Sequence, residues 1–170
     1  MVLPDAPCAH PLVDAWVKAE SAHFIRRWRS LMRGEPIVKK PAELTPEEKN
    51  GTGGVLCLWG DPKGNSLLAS MLSKLPLTWT DNSIGIAGKT FDAATHVPVL
   101  ACLARLRPGE AQPIVLNTGL TFREDDDRSN ALQNPQLPDW AILDITQAPN
   151  LESAGRVEAA DFFDLHWQAK

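Results

Sequence analysis

No stretch of this 170-residue chain approaches the roughly 18 consecutive apolar residues of a membrane span. A basic excess is missing too. With 17 Lys and Arg against 21 Asp and Glu, the net charge is −4, which argues against a nucleic-acid-binding surface. The one dense basic group, Arg26, Arg27, Arg29 and Arg33, falls on an amphipathic helical pattern and reads as a solvated helix face. Cysteine is scarce: Cys8, Cys57 and Cys102 show no metal-ligand spacing. Their odd number fits no closed disulfide framework, although a single bridge stays open. Cys57 and Cys102 sit inside apolar runs, where a thiol behaves as a small hydrophobe. The opening MVLPDAPCAHP lacks the charged and apolar regions of a secretory leader, so the expectation is a soluble chain with no signal peptide, its compartment left open.

Catalytic motifs are equally thin. There is no G-x-S-x-G elbow, and His10, His23, His96 and His166 form neither H-x-x-x-H nor H-E-x-x-H spacing. Each histidine reads as a surface or capping residue. The acidic run Glu124-Asp125-Asp126-Asp127 lacks the alternating oxygens and distal glutamate of a calcium loop, so it reads as a solvated, dipole-favoured helix start. No metal and no cofactor is expected.

What is present begins with WGDPKGNSLLASMLSKL, residues 59–75. A glycine-bearing loop there joins a short buried strand, VLCLWG, to apolar residues 67, 68, 71, 72 and 75 at helical spacing. Such loops often bind anions, because free N–H groups and the helix dipole converge on them. Here the lysine precedes the second glycine, so the P-loop order fails, and the dinucleotide fingerprint is absent. Asn65 is a good N-cap and Asp61-Pro62 a good turn starter, so a structural turn is the preferred reading.

Apolar residues at three- and four-residue steps predict a long helix over 11–33, closed by Gly34 and Pro36. Thr45-Pro46-Glu47-Glu48 has the form of a capping box within the connector 35–54. LPLTWT and SIGIAGKTF predict a β-hairpin or two edge strands, and 97–103 and 114–117 an antiparallel pair. A modest helix is expected over FREDDDRSNALQ, a buried strand at DWAILDI, and a short helix or turn at the end of GRVEAADFFDLHW. The fold class expected is α/β: a single domain with a mixed, mostly parallel sheet, flanking helices and a hairpin. Strands 55–59, 114–117 and 141–145 would run one way. Residues 1–50 would form the amphipathic helix and connector packing on a 51–170 core. The helix could instead point outward, to bind a partner domain or a second copy of itself; self-docking is preferred.

In open α/β sheets, ligands sit beyond the carboxyl ends of parallel strands. That rim would carry Asp61, Asn117 and Asp144, with Asn65 and Arg123 at the starts of following helices. These five residues are the candidate ligand-binding set.

The runs LWGDPKGNSLLASMLSKLPLTW, GKTFDAATHVPVL, VLNTGLTFRE with SNALQNPQLPDWAILD, and RVEAADFFDLHW resemble the C-terminal region of large planctomycete-type bacterial proteins. Those proteins carry a prolyl-oligopeptidase or esterase-like α/β-hydrolase domain upstream. The segment FIRRWRSLMRGEPIVKK with LTPEEKN is similar to the join before that region, so the resemblance runs from about residue 20 onward. W-G-D-P and L-P-D-W-A are its most specific words. The resemblance implies a parent that is exported and whose catalytic serine lies in the upstream domain. No catalytic residue carries over. The expected function is therefore a non-catalytic accessory or interaction domain partnered by an α/β-hydrolase domain. The alternative is a small hydrolase or ligand-binding domain using the rim.

Overall fold

The computed structural model describes residues 1–49, 54–107, 110–119, 123–132 and 137–169. Helix α1 spans Pro11–Met32 and ends on Arg33, which takes a left-handed conformation (φ 53°) and bonds its N–H to the Arg29 carbonyl. The cap thus falls one residue before the glycine expected there. The short α2, Pro46–Lys49, carries the capping box: Thr45 N–H donates to Glu48 at 2.8 Å and Glu48 N–H to Thr45 Oγ1 at 3.3 Å. Helix α3, Ser66–Met71, runs on into a 3-10 turn, Leu72–Lys74.

Five strands form the main sheet: β1 (Leu56–Leu58), β5 (His96–Arg107), β6 (Glu110–Leu116), β7 (Trp140–Asp144) and β8 (Arg156–Asp161), in spatial order β1-β6-β5-β7-β8. A second, antiparallel sheet holds β2 (Thr78–Trp79), β3 (Ser83–Ile86) and β4 (Lys89–Asp92). The turn between β3 and β4 is Ala87-Gly88, both at positive φ, the geometry that matches the twist of a two-residue hairpin.

Two expectations need correction, and a third, the closing turn of the tail, gains a strand before it. The sheet is mixed but not mostly parallel, since β1–β6 is the only parallel pairing of the four among the described residues. Strands β1, β6 and β7 do point the same way, but β5 runs antiparallel between β6 and β7. The acidic segment forms 3-10 turns, Glu124–Arg128 and Asn130–Leu132, and no α-helix among its described residues. The tail begins as an edge strand, β8, before its closing turn. Glu158 has no partner opposite it on β7, a bulge that breaks the tail's alternation.

Both faces of the main sheet are covered. Along β7, Trp140 and Ile142 enter one apolar cluster while Ala141 and Leu143 enter the other, the period of two expected of a strand. On one face α1 packs Val13, Trp16, Val17 and Phe24 against Trp59, Val97, Val99, Leu143 and Ile145. On the other, Leu67, Leu68 and Met71 of α3 and Trp79, Ile84 and Ile86 of the small sheet meet Leu58, Leu100, Leu116 and Ile142. The stripe of α1 is the cause of its docking, because its apolar side chains are worth most when one sheet face removes them together from water.

The outer edge of β1 is covered by residues 1–3. Val2 bridges in parallel to Leu58 on one side and to Lys39 on the other. Its N–H donates to the Cys57 carbonyl at 2.7 Å, and Trp59 N–H donates back to its own carbonyl at 3.0 Å.

Phe24 packs between Trp28 and Trp59 in tilted contacts, at centroid separations of 5.8 and 6.0 Å. A side chain at Gly119 would collide with its ring. Phe24→Ala should therefore lower stability by about 3–5 kcal/mol in urea denaturation. Gly119→Ala should destabilise as well, and the double variant should lose less than the sum, since the small ring site then accepts the methyl.

Candidate functional site

The five candidate residues lie around the sheet edge where β1, β6 and β7 end, yet they form no single group. Asp61, Asn65 and Asn117 converge on the turn at Gly60. Arg123 and Asn117 line a cleft between α1 and the sheet. Asp144 stands apart, facing Arg156 of β8 across 2.8 Å.

Asn117 sits just beyond β6 at φ 52°, and its side chain imitates a further strand residue. Gly60 N–H donates to Oδ1 at 2.8 Å, while Nδ2 donates to the Gly60 carbonyl at 3.0 Å and the Pro98 carbonyl at 3.3 Å. The amide thus continues the β1–β6 ladder past its end. Asp61 is buried and accepts Gly64 N–H and Ala9 N–H, both at 2.7 Å. Asn65, fully buried, accepts Leu67 and Leu68 N–H at 3.1 Å and donates to the Trp59 and Val2 carbonyls at 2.8 and 3.4 Å. Every hydrogen-bonding position of that amide is engaged.

The loop also carries its own anion. Asp5 accepts Ser66 N–H at 3.0 Å and Ser66 Oγ at 2.7 Å, so a carboxylate of the N-terminal segment occupies the start of α3. The Ser66 hydroxyl, and then its N–H, hold the Asp5 carboxyl below its usual range.

A second constellation was hidden in the sequence. The cleft between α1 and the sheet has a volume of about 200 Å³, with an apolar wall of Phe24, Trp59, Val99 and Leu143. At its mouth α1 meets residues 123–128 through three charge pairs. Arg123 grips Glu20 with both terminal nitrogens at 2.8 and 3.2 Å and donates Nε to the Asn150 carbonyl at 2.7 Å. His23 Nε2 lies 2.9 Å from Glu124, and Arg27 grips Asp127 at 2.7 and 2.8 Å. Glu20, His23 and Arg27 are all buried. Two readings are thereby corrected: His23 is no surface histidine, and Arg27 leaves the solvated patch of Arg26, Arg29 and Arg33. The acidic run is likewise no simple helix start, since two of its carboxylates reach α1. The signal was available in part. Residues 20, 23 and 27 lie on one helical face at i, i+3 and i+7. Nothing local, however, announces partners a hundred positions away.

Burial pushes the Cys8 and Cys102 thiols up to about 12 and that of Cys57 to about 11, so all three are neutral and weakly nucleophilic at neutral pH. Among the described residues no group of His, Cys, Asp and Glu could hold a metal ion, and no helix is long and apolar enough to cross a membrane. Compared with protein-family models, curated proteins and solved structures, the chain finds no match in any of the three.

Asn65→Ala should cost about 2 kcal/mol or more, combining a lost cap with buried carbonyls left unpaired, measured as a urea midpoint shift. Unchanged stability with lost anion binding would assign Asn65 to a ligand instead. Asp144 is held well below its ordinary 3.8 by the Thr146 hydroxyl, the Thr146 N–H and then Arg156. Its contribution is complete above the unfolded value and disappears as pH falls through the folded one. Stability curves of the protein and its Asp144→Asn variant should therefore converge in strong acid, draw apart as pH rises toward about 4, and keep a constant gap above it.

Proposed function

We propose that this chain is a non-catalytic accessory or interaction domain that works with an α/β-hydrolase domain of the prolyl-oligopeptidase or esterase type, in a longer parent protein. The observation that carries this reading is the apolar hook after β8. Phe162 and Leu165 are 62% and 97% exposed. The hook is built, because Asp164 Oδ1 accepts the N–H groups of His166 and Gln168 at 2.7 and 2.9 Å. Phe163 turns inward, donates its N–H to Asp139 at 3.0 Å, and packs on Trp167. A set of apolar side chains held outward by a hydrogen-bonded turn is what a docking surface requires.

The polar rim supports the same reading from the other side. Asp61, Asn65 and Asn117 are engaged in holding backbone, Arg123 in holding Glu20, and Asp144 in holding Thr146 and Arg156. A general acid or base needs a proton-transfer position toward a substrate, and these groups point theirs at the chain itself. A small-ligand role remains the second reading, favoured by the cleft beside Arg123 and Asn117.

The test is calorimetry of this chain against the hydrolase domain encoded upstream of it or beside it. Binding should be lost in Phe162→Ser/Leu165→Ser, with the melting temperature unchanged because neither side chain is buried. Stoichiometric labelling of a serine by a fluorophosphonate probe, or turnover of p-nitrophenyl esters, would overturn the reading in favour of an enzyme.

A further inference from the structure

Most of this protein is fastened by apolar contact, but one segment is not. In the 3-10 turn Glu124–Arg128 no residue is buried. With Arg123 before it, this segment meets α1 through the pairs Arg123–Glu20, Glu124–His23 and Asp127–Arg27. It meets the 150–152 loop through the Arg123 Nε bond to the Asn150 carbonyl and a longer bond of 3.3 Å from Asp125 N–H to the Leu151 carbonyl. Within itself it closes a box, as Arg123 N–H donates to Asp126 at 2.9 Å and Asp126 N–H to the Arg123 carbonyl at 3.0 Å. Its Arg123 and Asp126 line the cleft of about 200 Å³ whose apolar wall is Phe24, Trp59, Val99 and Leu143.

We propose that residues 123–128 are an ionic strap that opens as a unit, uncovering the cleft while both apolar cores stay folded. Apolar burial does not respond to the charge state of carboxylates, whereas this attachment consists of carboxylates gripping cations. Local openings of lower free energy than global unfolding are expected where, as in this turn among the described residues, backbone bonds are few and no side chain is buried. About two turns of α1 present Glu20, His23 and Arg27 to the strap, so losing one pair weakens the hold of its neighbours. The strap itself brings Arg123, Glu124, Asp125, Asp126, Asp127 and Arg128, with Arg128 paired to Asp125 at 3.1 Å. Glu152, from the loop beyond, faces the same cleft.

Acid is the natural trigger. Burial, the largest single influence, raises the Glu124 carboxyl, but the His23 bond, its own backbone N–H and the His23 and Arg27 charges together leave it below its ordinary 4.5. Asp127 lies below its ordinary 3.8 because of the Arg27 fork. Both are depressed carboxylates, so their hold is complete above the unfolded values and is lost as pH falls through the folded ones. The strap should therefore release in the acid range, below about pH 4, ahead of the cores.

Amide hydrogen exchange followed by NMR on the whole chain tests this. The probes are the hydrogen-bonded amides of Arg123, Asp125 and Asp126 against those of β5 and β7. Between pH 7 and acid, protection factors of the three strap amides should fall by about tenfold or more while strand amides keep theirs. Asp127→Asn should bring a several-fold loss to the strap at pH 7 with the strands unaffected. If strap and strands lose protection together along the acid series, the strap is an ordinary part of the cooperative core and the proposal fails. The same holds if strap protection ignores both pH and Asp127→Asn. The wild-type series needs no variant, so it decides the matter even should the substitution impair folding.

Discussion

Three buried polar side chains around one turn join parts of the chain that no apolar contact could place so closely. Asp61, Asn65 and Asn117 link the N-terminal segment, β1, β6 and α3 through hydrogen bonds to backbone groups at Ala9, Val2, Gly60, Gly64 and the start of α3. Apolar burial supplies most of the driving force but is non-directional. Hydrogen bonds to buried backbone fix register, because a shift of one residue leaves each of these groups unpaired at a cost of about 1–3 kcal/mol. Gly60 shows how close the fit is. Its φ is +107°, and a side chain there would fall 2.9 Å from the Pro4 ring. The turn that looked like a phosphate loop is the place where the N-terminal segment locks onto the sheet.

The buried side of α1 is also held by a different force. Its apolar stripe faces the sheet, while residues 20, 23 and 27 face a run of carboxylates distant in sequence. A buried fork such as Glu20–Arg123 contributes little net stability, because desolvating both charges offsets their attraction. Removing one partner is another matter, since the other is then left buried and unpaired. Such pairs serve to specify a unique arrangement here. They orient α1 over the cleft and hold residues 123–128 against it.

Elements with strong local signals were legible in the sequence. The α1 stripe, the Thr45–Glu48 box and the Asn65 cap each depend on residues within a few positions, and each is present. The antiparallel joint of β5 and β6 followed from a connection too short for a crossover. Strand order was not legible, because both faces of β5 and β7 are buried and an apolar run says nothing about its neighbours. The edge strand β8 was obscured by its bulge at Glu158. For the candidate site, the sequence placed Asp61, Asn117 and Asp144 on one sheet edge. It could not tell an engaged polar group from a free one. The same limit hid the pairs of His23 and Arg27, whose partners are set by tertiary packing alone.

If the rim belongs to the fold, Asp61 should be needed for stability, because its two carboxylate oxygens each accept an N–H, one buried and one part-buried, and an amide would turn a donor toward one of them. The direct measurement is urea denaturation of Asp61→Asn at neutral pH. The account predicts a midpoint lowered by the equivalent of about 1–3 kcal/mol, together with faster exchange at the Ala9 and Gly64 amides. A midpoint equal to that of the parent chain, with loss of binding or turnover of any small ligand, would contradict it.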